Sequence, residues 1–123
     1  PLMNTGAPSI PNTGLGISPD QRFPDLPLPI GLTEDPERTF VYESASLSVG
    51  RMVYTTKASV GELAQFYIDE TPVSGWQRES LIQTEGADLL FRKPGKTLKV
   101  VIRDLGLGRG RRLTLTMVPD AAQ

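Results

Sequence analysis

The sequence predicts an α+β domain: an antiparallel β-sheet with one α-helix packed on one face, preceded by a Pro/Gly-rich tail. Three observations predict it. Apolar residues alternate at period two in six segments after Arg38. One segment between the second and third of these switches to helical period. Eight of the 11 prolines fall before residue 37, so the N-terminal third reads as a different kind of chain.

Residues 1–36 are read as a flexible tail and extended arm, 37–119 as the domain, and 120–123 as a C-terminal tail. Hydrophobic residues make up 38% of the 123, and the proline-rich third accounts for the low value. Its start is proline, glycine and small polar residues without periodicity, too poor in apolar surface to offset chain entropy. Asn4-Thr5-Gly6 recurs as Asn12-Thr13-Gly14, a single repetition of a turn-type triplet. The stretch FPDLPLPIGL, Phe23 to Leu32, is apolar but punctuated by proline, which favours polyproline-like geometry. Phe23, Leu26, Leu28 and Ile30 are its candidate contacts with a groove on the domain, together with Leu32.

Thr39 to Ser44 and Val49 to Thr56 form the expected first hairpin, with Met52 and Tyr54 on one face and Arg51, Val53 and Thr55 on the other. Ser59-Val60-Gly61-Glu62 has the form of a capping box. Val60, Leu63, Ala64 and Tyr67 then follow as one stripe, with Phe66 and Glu70 flanking it. Pro72 is expected to push Thr71 out of helical geometry and stop the helix near residue 70. Four more strands are expected: Trp76 to Thr84, Asp88 to Lys93, Thr97 to Arg103 and Arg112 to Val118. Pro94-Gly95 is a tight turn between two of them. The order is β-β-α-β-β-β-β.

Composition excludes several activities. The chain has no cysteine and no histidine. Disulfides, thiolate metal sites, His-based zinc chemistry and triads built on histidine are therefore excluded. No nucleophile stands beside an evident base. Asp69 and Glu70 are adjacent on the helix, so they point apart rather than pairing. Glu34, Asp35 and Glu37 lack the spacing of a calcium loop. Trp76, Tyr67 and Phe66 read as core beneath the helix, with a ligand pocket as the alternative. No cofactor and no metal are expected, and the chain is read as non-enzymatic.

Charge is unevenly spread. Residues 1–91 carry 12 acids and 5 bases, and residues 92–123 carry 2 acids and 8 bases. Asp104 to Arg112 reads DLGLGRGRR, with glycines at 106, 108 and 110. A phosphate cradle needs such glycines between a strand and a helix N-terminus. Here a strand follows, so the segment reads as a hairpin loop whose glycines supply positive φ. The bases around it remain candidates for an anionic ligand: Arg109, Arg111 and Arg112, with Lys93 and Lys96 at the preceding tip. Successive tips lie at opposite ends of a sheet, so the two groups are not expected to coincide. Nucleic acid is disfavoured, because exposed aromatics do not accompany the bases.

Several motifs occur in a definite order. Asp25-Leu26-Pro27, Pro29 and Gly31 precede an acidic segment; then come Gly50-Arg51-x-Val53-Tyr54 and Ser59-Val60-x-Glu62-Leu63-x-x-Phe66-Tyr67. Pro72-x-x-Gly75-Trp76 and Leu89-Leu90-Phe91-x-Lys93 follow, and a last strand ends in Pro119. This order resembles a family of small uncharacterised bacterial exported proteins, often predicted lipoproteins, over about three quarters of the chain. The resemblance implies an envelope location, periplasmic or lipid-anchored, and carries over no catalytic residue. The first residue is Pro1, which is expected of a chain trimmed of an upstream lipidated cysteine, with the tail as a tether. A monomer is expected, although an arm of this kind is open to exchange between two copies. The expected function is protein interaction or assembly, through the open sheet edge or the arm's groove, with an unidentified protein as partner. The alternative is an anionic ligand (lipid headgroup, polyanion or nucleic acid) on the basic C-terminal hairpins.

Overall fold

The structure is a computed structural model that describes residues 14–45 and 47–120. The tail expected over residues 1–13 and the last three residues lie outside the described part. The described residues form a seven-stranded antiparallel sheet with one α-helix on one face. In chain order the elements are β1 (Thr33–Glu34), β2 (Phe40–Glu43), β3 (Ser48–Thr56), α1 (Val60–Glu70), a 3₁₀ turn (Pro72–Ser74), β4 (Gln77–Gln83), β5 (Ala87–Lys93), β6 (Lys96–Asp104) and β7 (Arg111–Pro119). The sheet order is β1-β3-β7-β6-β5-β4, with β2 also paired to β3. The α+β reading and the strand order hold, and β1 is an addition to them.

β1 and β2 lie end to end along one side of β3, with Thr33 opposite Thr55 and Phe40 opposite Arg51. Between them the chain leaves the ladder as a turn over residues 35–39. Backbone groups of Val53 would be orphaned there. The turn satisfies them itself: Asp35 N–H donates to the Val53 carbonyl at 2.8 Å, and Val53 N–H donates to the Thr39 hydroxyl at 3.0 Å. The turn also covers Val53. That residue is buried although it points away from the helix, on the face expected to be wetter.

α1 starts as a capping box. Glu62 N–H donates to the Ser59 hydroxyl at 3.0 Å and Ser59 N–H donates to the Glu62 carboxylate at 2.9 Å. Its buried residues are Leu63, Ala64, Phe66 and Tyr67, so Phe66 belongs to the apolar face rather than flanking it. The Phe66 and Tyr67 rings meet edge to face at 5.1 Å. Thr71 departs from expectation: it keeps helical angles, φ −63° and ψ −41°. Pro72 opens a new 3₁₀ turn at a position whose N–H would be unpaired anyway, so the usual restriction before proline is overridden.

The helix packs on the face carrying Met52 and Tyr54 of β3, Leu113, Leu115 and Met117 of β7, and the matching residues of β5 and β6. The remaining part of this face is covered by the N-terminal arm. Phe23, Leu26 and Leu28 are buried in the core, as are Pro27 and Pro29. Ile30 departs from expectation: it is 53% exposed, because the arm turns at Gly31 and leaves its side chain outside. Residues 16–18 pair back onto the arm through Ser18 N–H to the Leu28 carbonyl at 2.7 Å and Ile30 N–H to the Gly16 carbonyl at 2.9 Å. The domain therefore does not begin at residue 37. Residues 16–34 are part of it, since Phe23, Leu26 and Leu28 lie in its core and Asp25 accepts from the Trp76 indole N–H. At the other end Asp120 also belongs to it, accepting from Thr97 and Arg92 side chains.

Candidate functional site

The five bases singled out in the sequence are not brought together. Lys93 and Lys96 close the β5–β6 hairpin at one end of the sheet, and Arg109 lies in the β6–β7 loop at the other. Arg111 points toward the helix face, with its Nε 3.5 Å from the Asp104 carboxylate. Arg112, one residue on, points to the opposite face.

Lys93 and Lys96 are engaged with the arm. Their ammonium groups lie 2.9 and 2.7 Å from one oxygen of Asp25. They also stand 5.2 and 5.7 Å from the centre of the Trp76 ring. Trp76 itself is 2% exposed, and its indole N–H donates to the Asp25 carbonyl at 2.8 Å. The aromatic group of the sequence reading is thus core, and Asp25 fastens the arm to it from two sides. Burial alone would raise the Asp25 carboxyl, but hydrogen bonds and charge from Lys96 and Lys93 outweigh it and hold it low. A carboxyl held low in the folded state stabilises at pH above its unfolded value of about 3.9, and that contribution disappears as pH falls through the folded value. Stability measured by urea melts is therefore expected to fall between about pH 5 and pH 2, and Asp25→Asn is expected to flatten that fall. A residual slope is expected from Asp35 and Asp88, whose carboxyls are held low by hydrogen bonds from Arg38 and Arg103.

The glycine loop is a turn. Gly106, Gly108 and Gly110 have φ of 101°, 72° and 81°, the left-handed region where glycine alone is comfortable. The loop closes on itself through Leu105 N–H to the Gly110 carbonyl at 2.9 Å and Gly106 N–H to the Asp104 carboxylate at 2.9 Å.

Glu34 and Asp35 are neutralised by arginines, Arg22 at 3.0 Å and Arg38 at 2.7 Å. No group of three or more acids among the described residues could hold a metal. No helix among them is long and apolar enough to cross a membrane.

The arm lines a cavity of about 660 Å³ between residues 18–22, 28–32, Glu34 and Tyr54. Its polar groups are turned to one another. One Arg22 nitrogen donates to both oxygens of Glu34, the Gln21 amide donates to the Phe23 and Pro24 carbonyls, and the Ser18 hydroxyl accepts from Asp20 N–H.

The sheet face opposite the helix has no layer over it among the described residues. Reading across it, Phe40 lies opposite Arg51, Arg51 opposite Thr116, Thr116 opposite Lys99 and Lys99 opposite Leu90. Phe40 and Tyr42, on the edge strand β2, are 58% and 50% exposed. Val118 on the same face is also exposed. Beside them Arg38, Arg51 and Arg112 surround a notch floored by Val53. Strand alternation in the sequence places Arg51 and Val53 on one face. Only the tertiary pairing joins them to Arg38 and Thr114. No family model, curated protein or solved structure matches the chain.

Proposed function

We propose that this chain is a non-enzymatic protein-interaction module of the bacterial cell envelope. On this reading it meets an extended segment of its partner at β2 and the adjoining uncovered sheet face. The observation that carries the reading is the exposure of Phe40 and Tyr42 at the free side of β2, where no other described strand pairs. Aromatic residues left in water on an edge strand are characteristic of interface centres. A strand with one unpaired side offers main-chain hydrogen bonds to an extended partner. The other edge, β4, is blunted by a bulge between Arg78 and Ser80 and by charged side chains. The groove on the helix-bearing face of the sheet, the other expected docking place, is filled by the chain's own arm. The envelope location rests on the resemblance carried by Phe66-Tyr67 and Pro72-x-x-Gly75-Trp76. The alternative, an anionic ligand on the basic C-terminal hairpins, has less support, since Lys93 and Lys96 serve Asp25 and lie at the end opposite Arg109.

A photo-crosslinking residue placed at Tyr42 in cells should capture a protein partner, and one at Gln65 on the helix's exposed side should not. Phe40→Lys should reduce the Tyr42 product at least about ten-fold, as for loss of an interface anchor, while leaving the melting temperature near that of the parent. Equal capture from Gln65, or capture indifferent to Phe40→Lys, would contradict the proposal.

A further inference from the structure

The notch on the uncovered face is a second and separate feature, and it carries its own chemistry. It encloses about 320 Å³ and is lined by Arg38, Arg51, Val53, Arg112 and Thr114. Val53 lies opposite Thr114 in the β3–β7 ladder, and Arg51 and Thr55–Arg112 occupy the flanking rungs on the same face. Arg51 and Arg112 therefore stand at diagonal corners, with their Cα atoms roughly 14 Å apart from strand spacing and rise. Both residues line the notch around the Val53–Thr114 pair. Arg38 reaches it from a third direction, carried there by the 35–39 turn that is pinned to Val53.

These cations are not used up inside the protein. Among the described residues neither Arg51 nor Arg112 has an ion-pair partner, and the buried Nε of Arg112 has no hydrogen-bond acceptor. Arg38 gives one nitrogen to Asp35 at 2.7 Å, the carboxylate at the rim. Three guanidinium groups against one carboxylate leave the notch with excess positive charge. The larger arm cavity differs in this respect, since its arginine is already matched by Glu34.

We infer that this notch binds a phosphate monoester group. The chemistry follows from the donor set. A flat carboxylate is satisfied by a single guanidinium, as in this molecule where one Arg22 nitrogen donates to both oxygens of Glu34. A tetrahedral oxyanion presents three oxygens in different directions and is matched by donors that converge from different sides. Here these are Arg38, Arg51 and Arg112, with the Thr114 hydroxyl beside them. The buried Val53 floor keeps water away from one side of the anion, which strengthens each contact. The inference does not depend on the protein partner proposed for β2.

The probe is inorganic phosphate, titrated into the full chain and followed by proton–nitrogen NMR, with chloride at matched ionic strength as the control. The Thr114 amide and the arginine Nε–H signals of Arg51 and Arg112 should shift and saturate. Arg51→Gln, an exposed position that leaves the core intact, should weaken binding about ten-fold or more, the loss of one charge-assisted hydrogen bond. Arg109→Gln, at the loop tip, should leave it within about two-fold, as expected where only distant screened charge is removed. Glycerol phosphate and phosphatidylcholine vesicles containing phosphatidic acid then separate the two sources of the group. Arg51-dependent vesicle flotation identifies a lipid headgroup, and binding of glycerol phosphate without flotation identifies a soluble phosphate ester. Shifts that do not saturate, that chloride reproduces, or that survive Arg51→Gln would overturn the inference.

Discussion

Leu26→Ala is expected to lower the unfolding free energy by about 2–5 kcal/mol, read from urea melts at neutral pH. The size follows from where the residue sits. Leu26 is among the largest fully buried side chains, in one cluster with Phe23, Leu28 and Trp76. Removing it leaves a cavity that the surroundings close only in part, because the arm is held on both sides of it. Leu26 N–H donates to the Phe23 carbonyl at 3.2 Å, and Asp25 is fixed by Trp76, Lys93 and Lys96. A domain of this size has roughly 5–15 kcal/mol of stability in total, so this one truncation in the proline-rich segment should rival one in a central strand. Ile30→Ala, four residues on, serves as the contrast. That side chain is more than half exposed, and its loss should cost within about 0.5 kcal/mol.

Gly110→Ala is expected to cost about 2–5 kcal/mol, and Gly108→Ala, two residues away, only the backbone share of about 1–2 kcal/mol. Both glycines have positive φ, so both variants are charged the left-handed conformation. They differ in their surroundings. A Cβ at Gly108 meets nothing within 4 Å, whereas a Cβ at Gly110 lies 2.5 Å from the backbone carbonyl oxygen of Thr56. Thr56 is the partner of Arg111 on the last rung between β3 and β7. Relief requires that rung to open, because a carbonyl in a ladder cannot rotate away as a side chain would. The two variants, compared by thermal unfolding, separate conformational strain from close approach in a loop of uniform sequence.

What was legible in the sequence was local. The capping box at Ser59 and Glu62, the alternation along β6 and β7 and the Pro94-Gly95 turn each encode their own geometry within a few residues. Thr71 was misread because two local rules compete there, and the restriction before proline yields when proline opens a new turn. The arm was legible as apolar but not as core: proline breaks every period, so nothing in Phe23 to Leu32 shows which side chains face inward. Ile30 was misplaced for that reason. The notch was not legible at all. Its parts come from the 35–39 turn, β3 and β7, and only tertiary pairing makes β3 and β7 neighbours, with Val53 and its partner Thr114 61 positions apart in sequence. The available signal was faint: Arg51 and Thr114 both fall on the outward phase of their strands.

On the proposed function the arm belongs to the domain and fills the groove, and the opposite sheet face meets the partner. Hydrogen exchange tests this most directly, followed at the Trp76 indole N–H and at the Ser18 and Ile30 amides. The account predicts that the indole proton, bonded to the Asp25 carbonyl, exchanges as slowly as the amides of β6, with Ser18 and Ile30 also protected. Exchange of all three at the rate of an open chain, while β6 stays protected, would show that the arm is detached, the groove is empty, and the binding surface has been placed on the wrong side of the sheet.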